Sequence, residues 1–66
     1  MIIMYDLEDN ILMTFEGYKD CAKYFNTSLN TLYSTISRMK TGEVKKKRDK
    51  NNKIWVKLYR MEDLDN

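Results

Sequence analysis

The sequence predicts an α+β fold: an N-terminal β-hairpin, a helix-turn-helix, a basic loop and a C-terminal strand. The strands form a small antiparallel sheet packed on the two helices. Three observations lead there. Tyr18, Cys21, Ala22 and Phe25 recur at spacings of three, four and seven, and Leu29, Leu32, Tyr33, Ile36 and Met39 repeat a helical spacing after a polar break. Two short apolar runs, Ile2–Tyr5 and Ile11–Phe15, flank the polar stretch Leu7-Glu8-Asp9-Asn10. Near the C-terminus, Ile54, Val56 and Leu58 alternate with Trp55, Lys57 and Tyr59.

The first two runs are rich in β-branched and aromatic residues, and turn formers lie between them, which reads as a hairpin. Ile11, Met13 and Phe15 share one face of the second strand and are assigned to the core. The acids Asp6, Glu8 and Asp9 fall on the tip without the glycine or spacing of a calcium loop, so they read as a solvated turn. Gly17 lets the chain swing into the first helix, where Glu16 and Asp20 place negative charge near the positive end of the helix dipole.

Asn26, Thr27 and Ser28 break the helical pattern with residues that favour turns and caps. Thr27 or Ser28 is placed to cap the second helix, which spans about 28–40, and Gly42 follows where a left-handed residue ends a helix cheaply. The first helix is too short to persist unsupported, so the pair must pack on each other and on the sheet. Cys21 lies on the apolar face and reads as a small core hydrophobe, with nothing nearby to act as its base.

Glu43 to Lys53 carries six bases in eleven residues. Two readings stand: a solvated loop kept extended by its own repulsion, or an arm over 45–53 that tracks phosphates beside a docked helix. Its place directly after a candidate recognition helix favours the arm. In the strand that follows, Trp55 and Tyr59 either cover the helices or stay partly exposed under Lys and Arg stems. Residues 61–66 read as a frayed acidic tail.

Sixty-six residues make a single domain, 1–66, near the lower limit for a lone hydrophobic core. One cysteine cannot form an internal disulfide, and without histidine a zinc site is not expected, nor is any cofactor. No apolar run reaches the ~20 residues of a membrane span, and Met1–Tyr5 lacks the leader of a signal peptide. The expected setting is cytoplasmic: intracellular and reducing. The formal charge of +2 conceals a strong asymmetry. Met1 to Phe15 has three acids and no base, Glu16 to Arg60 has twelve bases against four acids, and Met61 to Asn66 has three acids. A polyanion would meet the basic centre.

In order and spacing, the chain from Ile3 to Tyr59 resembles the modular helix-turn-helix DNA-binding domain of intron-encoded homing endonucleases and related phage proteins. The residues that carry the resemblance are Tyr5-Asp6-Leu7-Glu8-Asp9-Asn10, Phe15, Ala22-Lys23-Tyr24-Phe25-Asn26, Ser28, Thr31-Leu32 and Ile36-Ser37-Arg38. Gly42 with the basic loop, and the closing Ile54-Trp55, complete it. Departures are Cys21 for a usual Ala, Asn10 for a usual Gly and Thr27 for a usual apolar residue. The resemblance implies a small phage or mobile-element type of DNA-binding protein, with double-stranded DNA as partner.

On that reading the second helix enters the major groove and presents Asn30, Thr31, Ser34 and Arg38, with Ser28 at its start. Asn pairs bidentately with adenine and Arg with guanine, while Ser and Thr discriminate less. Lys40, Lys45, Lys46, Lys47 and Arg48 neutralise phosphates and supply affinity without choosing a sequence. A unit this small binds weakly by itself, so a homodimer or a protein partner is expected as well. The alternative is a small protein-binding inhibitor or adaptor of a host protein that uses a helix-turn-helix-like scaffold. It predicts sensitivity at Trp55 and Tyr59 and tolerance in the lysine run, the reverse of a DNA binder. RNA binding ranks below, for want of a recognisable signature. Catalysis is not expected, because there is no histidine, no nucleophile motif, no glycine-rich phosphate loop and no acid pair in a cleft.

Overall fold

In a computed structural model, which describes residues 1–64, strands β1 (Ile2–Asp6) and β2 (Ile11–Phe15) precede helices α1 (Tyr18–Phe25) and α2 (Leu29–Thr41). Strands β3 (Lys47–Asp49) and β4 (Ile54–Arg60) follow, and Met61–Leu64 closes as a turn of 3-10 helix. The sheet is antiparallel with strand order β2-β1-β4-β3. The expected α+β architecture is therefore present, with one strand more than the periodicity announced. Lys47–Asp49, read as part of a loop, is an edge strand paired to Ile54–Val56.

The hairpin turn is built by one carboxylate. Asp6 accepts from the backbone N–H groups of Glu8 and Asn10, both at 2.9 Å, and from the Asn10 side chain at 3.1 Å. These bonds hold its pKa below the ordinary carboxylate value, the Asn10 backbone bond contributing most. Asp9 takes the left-handed conformation, φ 69°, and its carboxylate pairs with Lys57. The tip acids thus serve the turn and the neighbouring strand.

A bulge corrects one core assignment. Met4 faces Met13 across the ladder, but Tyr5 faces Ile11, which leaves Leu12 as the extra residue. One added residue reverses side-chain alternation, so Ile11 leaves the Met13–Phe15 face and is 63% exposed. The core is formed by Ile2, Met4 and Phe15 from the hairpin, Cys21 and Ala22 from α1, Leu32, Ile36 and Met39 from α2, and Val56 and Leu58 from β4. Leu29, Tyr33 and Ile54, also placed on inward faces by spacing, are exposed. Leu29 opens its helix and Ile54 opens its strand, at ends the opposite layer does not cover. Truncating a fully buried Leu such as Leu32 costs about 2–5 kcal/mol, a large share of the stability of so small a domain.

Both helices end as their sequences indicate. Asn26 adopts φ 54°, ψ 52°, and the N–H groups of Asn26 and Thr27 return to carbonyls of α1. Ser28 caps α2, its Oγ accepting from the Thr31 N–H at 3.1 Å. Gly42 ends α2 at φ 83°, where a side chain would be strained. Gly17 differs: its backbone is extended, at φ −161°, and nothing lies within 4 Å of an added Cβ, so glycine is not required there.

The acidic tail also needs correction over 61–64. Asp63 accepts from Arg60 Nε at 2.7 Å and lies 3.2 Å from Lys40 Nζ, which ties the closing turn to β4 and α2. Arg60 also donates to the Tyr18 hydroxyl at 3.2 Å and lies over the ring of Tyr33. The rings of Tyr18 and Tyr33 are 5.1 Å apart, which joins the two helices at this end. Residues 65 and 66 of the expected tail lie outside the described residues. None of the described helices is long and apolar enough to cross a membrane.

Candidate nucleic-acid interface

The sheet and α1 bury one side of α2 through Leu32, Ile36 and Met39 and leave the opposite side to solvent. Asn30, Thr31, Ser34 and Arg38 come together there, with Thr35, along a shallow groove of about 320 Å³. This is four of the five positions expected to face bases. The fifth, Ser28, is occupied with its cap: its Oγ also donates to Thr31 Oγ1 at 2.8 Å. The Thr35 hydroxyl donates to the Thr31 carbonyl at 2.9 Å. Among the described residues, the side chains of Asn30, Ser34 and Arg38 make no hydrogen bond within the chain, so their donors and acceptors are open to a ligand.

The basic residues are distributed rather than clustered. Lys40 sits near the end of α2, half-exposed and paired with Asp63. Lys45 is exposed on the approach to β3. Strand alternation then separates the next three. Lys47 turns toward the helices, its Nζ 5.1 Å from the centre of the Phe25 ring. Lys46 and Arg48 turn to the other face of the sheet and lie over Trp55, at 4.6 and 5.6 Å from its ring centre. Trp55 is 42% exposed, so of its two expected arrangements the partly open one under cationic stems is adopted.

What holds the basic arm in place was not legible as a site. Asp49 is fully buried, and its Oδ1 accepts from the N–H groups of Asn51 at 3.0 Å and Asn52 at 3.4 Å. Its Oδ2 accepts from the Tyr24 hydroxyl at 3.0 Å and from the Asn52 side chain at 2.9 Å. Burial, and then the bond to Asp49, push the Tyr24 phenol above its ordinary pKa. Asp49 followed by Asn51-Asn52 is an Asx-turn signature, the one sequence signal that could have found it. Between this turn and the link from α1 to α2 runs a cleft of about 430 Å³ lined by Tyr24, Phe25, Asn26, Thr27, Lys47, Arg48, Lys50 and Asn51. Lys50, not singled out by sequence reasoning, adds a cation to it beside Lys47.

Cys21 plays no part in this surface. It is fully buried, and burial pushes its thiol up to about 12.

No curated protein and no solved structure matches the chain. The model of one family does: the NUMOD1 domain, a helix-turn-helix DNA-binding module found in homing endonucleases and related proteins, matches residues 2–36. That span covers the hairpin, α1, the turn and the first part of α2, including Ser28, Asn30, Thr31 and Ser34. Arg38, Lys40 and the basic arm lie beyond it. With more than half of its residues matched, and with the hairpin and helix pair laid out in that order, the chain belongs to the NUMOD1 domain family.

Proposed function

We propose that this chain is a DNA-binding module of phage or mobile-element type that lays α2 in the major groove of double-stranded DNA. The observation that carries the reading is the outer side of α2, where Asn30, Thr31, Ser34 and Arg38 line one groove while Leu32, Ile36 and Met39 anchor the opposite side. Asn30 and Arg38 carry the sequence preference, through adenine and guanine edges, and Thr31 and Ser34 add less selective contacts. Lys40, Lys45, Lys46, Lys47 and Arg48 take backbone phosphates, and Ser28 fixes the start of the reading helix. The module binds and does not catalyse. It works in a reducing, intracellular setting with its buried Cys21 as a free thiol, and it gains affinity from a second copy or a protein partner.

Fluorescence anisotropy on a mixed-sequence duplex across a salt series tests this reading. Several phosphate contacts give a log–log slope steeper than about −3, at about 0.9 per contact. Absence of binding at low salt overturns it. A second reading, a protein-binding adaptor, draws on the other face of the sheet, where Leu7, Leu12, Ile54 and Trp55 are exposed around a shared hollow. Loss of function on changing Trp55 or Tyr59, with the lysine run dispensable, would favour it.

A further inference from the structure

We infer that Asp49 is a positioning residue for the DNA backbone contact, acting through the shape of the arm and against its own charge. The inference rests on the DNA-binding reading and goes beyond it, because Asp49 touches no DNA and carries the wrong sign for a polyanion. It is the buried charged side chain of the described residues, and it sits between Arg48 and Lys50 in the most basic stretch of the chain. Like charges left to themselves would hold such a stretch extended and away from the body of the domain. Asp49 reverses that by turning its carboxylate inward and binding across to α1.

The attachment has two halves. Oδ1 closes the turn through the Asn51 and Asn52 N–H groups, and Oδ2 receives the Tyr24 hydroxyl and the Asn52 amide. Two more bonds run from the arm to the same tyrosine: the Asn51 amide donates to the Tyr24 carbonyl and the Asn52 amide to the Tyr24 hydroxyl, each at 3.1 Å. Tyr24 is itself fixed, with its ring 5.4 Å from Phe15 and 5.0 Å from Phe25. The arm is thereby tied to the last turn of α1, immediately before the turn that launches α2. This sets Lys47 and Lys50 along the cleft facing Asn26 and Thr27, while the Arg48 guanidinium lies over Trp55 on the other face. A duplex backbone flanking α2 meets cations already in place, with their ordering done before binding.

Coulomb attraction and positioning predict opposite outcomes for Asp49→Asn. Removing an acid beside six bases should strengthen DNA binding if charge alone matters. The substituted amide keeps an acceptor for the turn but loses the carboxylate oxygen that serves Tyr24 and Asn52, so positioning predicts weaker binding. The experiment is the same anisotropy salt series on wild type, D49N, Y24F and, as a control for charge, E43Q, each checked by circular dichroism to be folded at the assay temperature. The expected slope for D49N is shallower by roughly 0.9 to 1.8, one or two phosphates lost, with binding at 0.1 M salt weaker by roughly 8- to 60-fold. Y24F should move the same way by less, and E43Q should bind at least as tightly as wild type. Should D49N not fold, the shallower slope of Y24F decides. A D49N, or failing that a Y24F, that binds like E43Q with the wild-type slope overturns the role of Asp49 alone. A wild type that does not bind at low salt overturns the DNA-binding reading and this role with it.

Discussion

Along the outer side of α2, order comes from the helix backbone, and the side chains of Asn30, Ser34 and Arg38 form no bonds within the described chain. In the arm from Lys45 to Lys53 the relation is inverted. Only three residues there are strand, and order comes from Asp49, Asn51 and Asn52 bonded to one another and to Tyr24. A regular helix can leave its polar groups uncommitted because its backbone bonds are satisfied internally. An irregular, self-repelling segment must use polar side chains for its own folding, which leaves its lysines and arginines as the groups free to bind. The first region is suited to discriminate among bases, and the second to attract a backbone of any sequence.

The sharpest way to break that division is to neutralise the arm. Replacing Lys45, Lys46, Lys47 and Arg48 together with Gln should lower the salt slope by up to about 3.6 and weaken binding at 0.1 M salt by as much as roughly 4,000-fold, equally on all sequences. Replacing Asn30 or Arg38 with Ala should act differently. Each should cost about 1–3 kcal/mol on a selected site, leave binding to mixed-sequence DNA nearly intact and relax preference at one base position. Selection followed by competition titrations measures both. If the arm variant loses preference and the helix variants lose general affinity, the assignments are exchanged.

Much of the frame could be read from residue order because its signals are local. Cys21, Ala22 and Leu32 announce themselves by spacing, Asn26 and Gly42 by left-handed caps, and Ser28 by its place before the helix. What escaped depends on partners far along the chain. Lys47-Arg48-Asp49 has no apolar alternation and is a strand because Ile54–Val56 pairs with it. That strand is short, so the Leu58 N–H on the same edge of β4 finds Met39 Sδ as its acceptor at 3.3 Å. Ile11 reads as core until a bulge opposite Tyr5 reverses it. Asp49 reads as one acid diluted in a basic run, since nothing local says that Tyr24, 25 residues earlier, will meet it. The α2 face was legible as a group, whereas the split of Lys46, Lys47 and Arg48 over two faces required the strand.

Lys40 lies between the two regions and gives a smaller test through pH. Its partner Asp63 is held below the ordinary carboxylate value, first by the Arg60 hydrogen bond and then, against the opposing effect of burial, by the bond to Lys40. A carboxylate with a lowered pKa stabilises the fold above its ordinary value of about 3.9, and that contribution is lost as pH falls through the lowered value. Thermal melts should therefore show stability declining below about pH 4. Asp63→Asn should remove part of that decline and lower stability at neutral pH. It should also leave Lys40 free for phosphate, steepening the salt slope by at most about 0.9. A pH profile unchanged by the substitution would show that the closing turn does not depend on this pair.

The smallest expected effect is at Trp55, and its size discriminates between the two faces of the domain. Lys46 and Arg48 rest on this ring at an exposed position, where a cation–π contact contributes about 0.5–1 kcal/mol. Trp55→Ala should weaken DNA binding by no more than about fivefold for each cation that loses its platform, without changing the salt slope, since both charges remain. Anisotropy with wild type and variant at two salt concentrations measures this. In wild type, the fluorescence of this single tryptophan should change when phosphates approach the cations that rest on it. A loss at Trp55 exceeding that of the fourfold arm variant would mean that the ring, with Leu7, Leu12 and Ile54 around it, is the contact surface. The open face of the sheet would then be the functional one, and the lysines over it would serve to keep an aromatic patch soluble until its partner arrives.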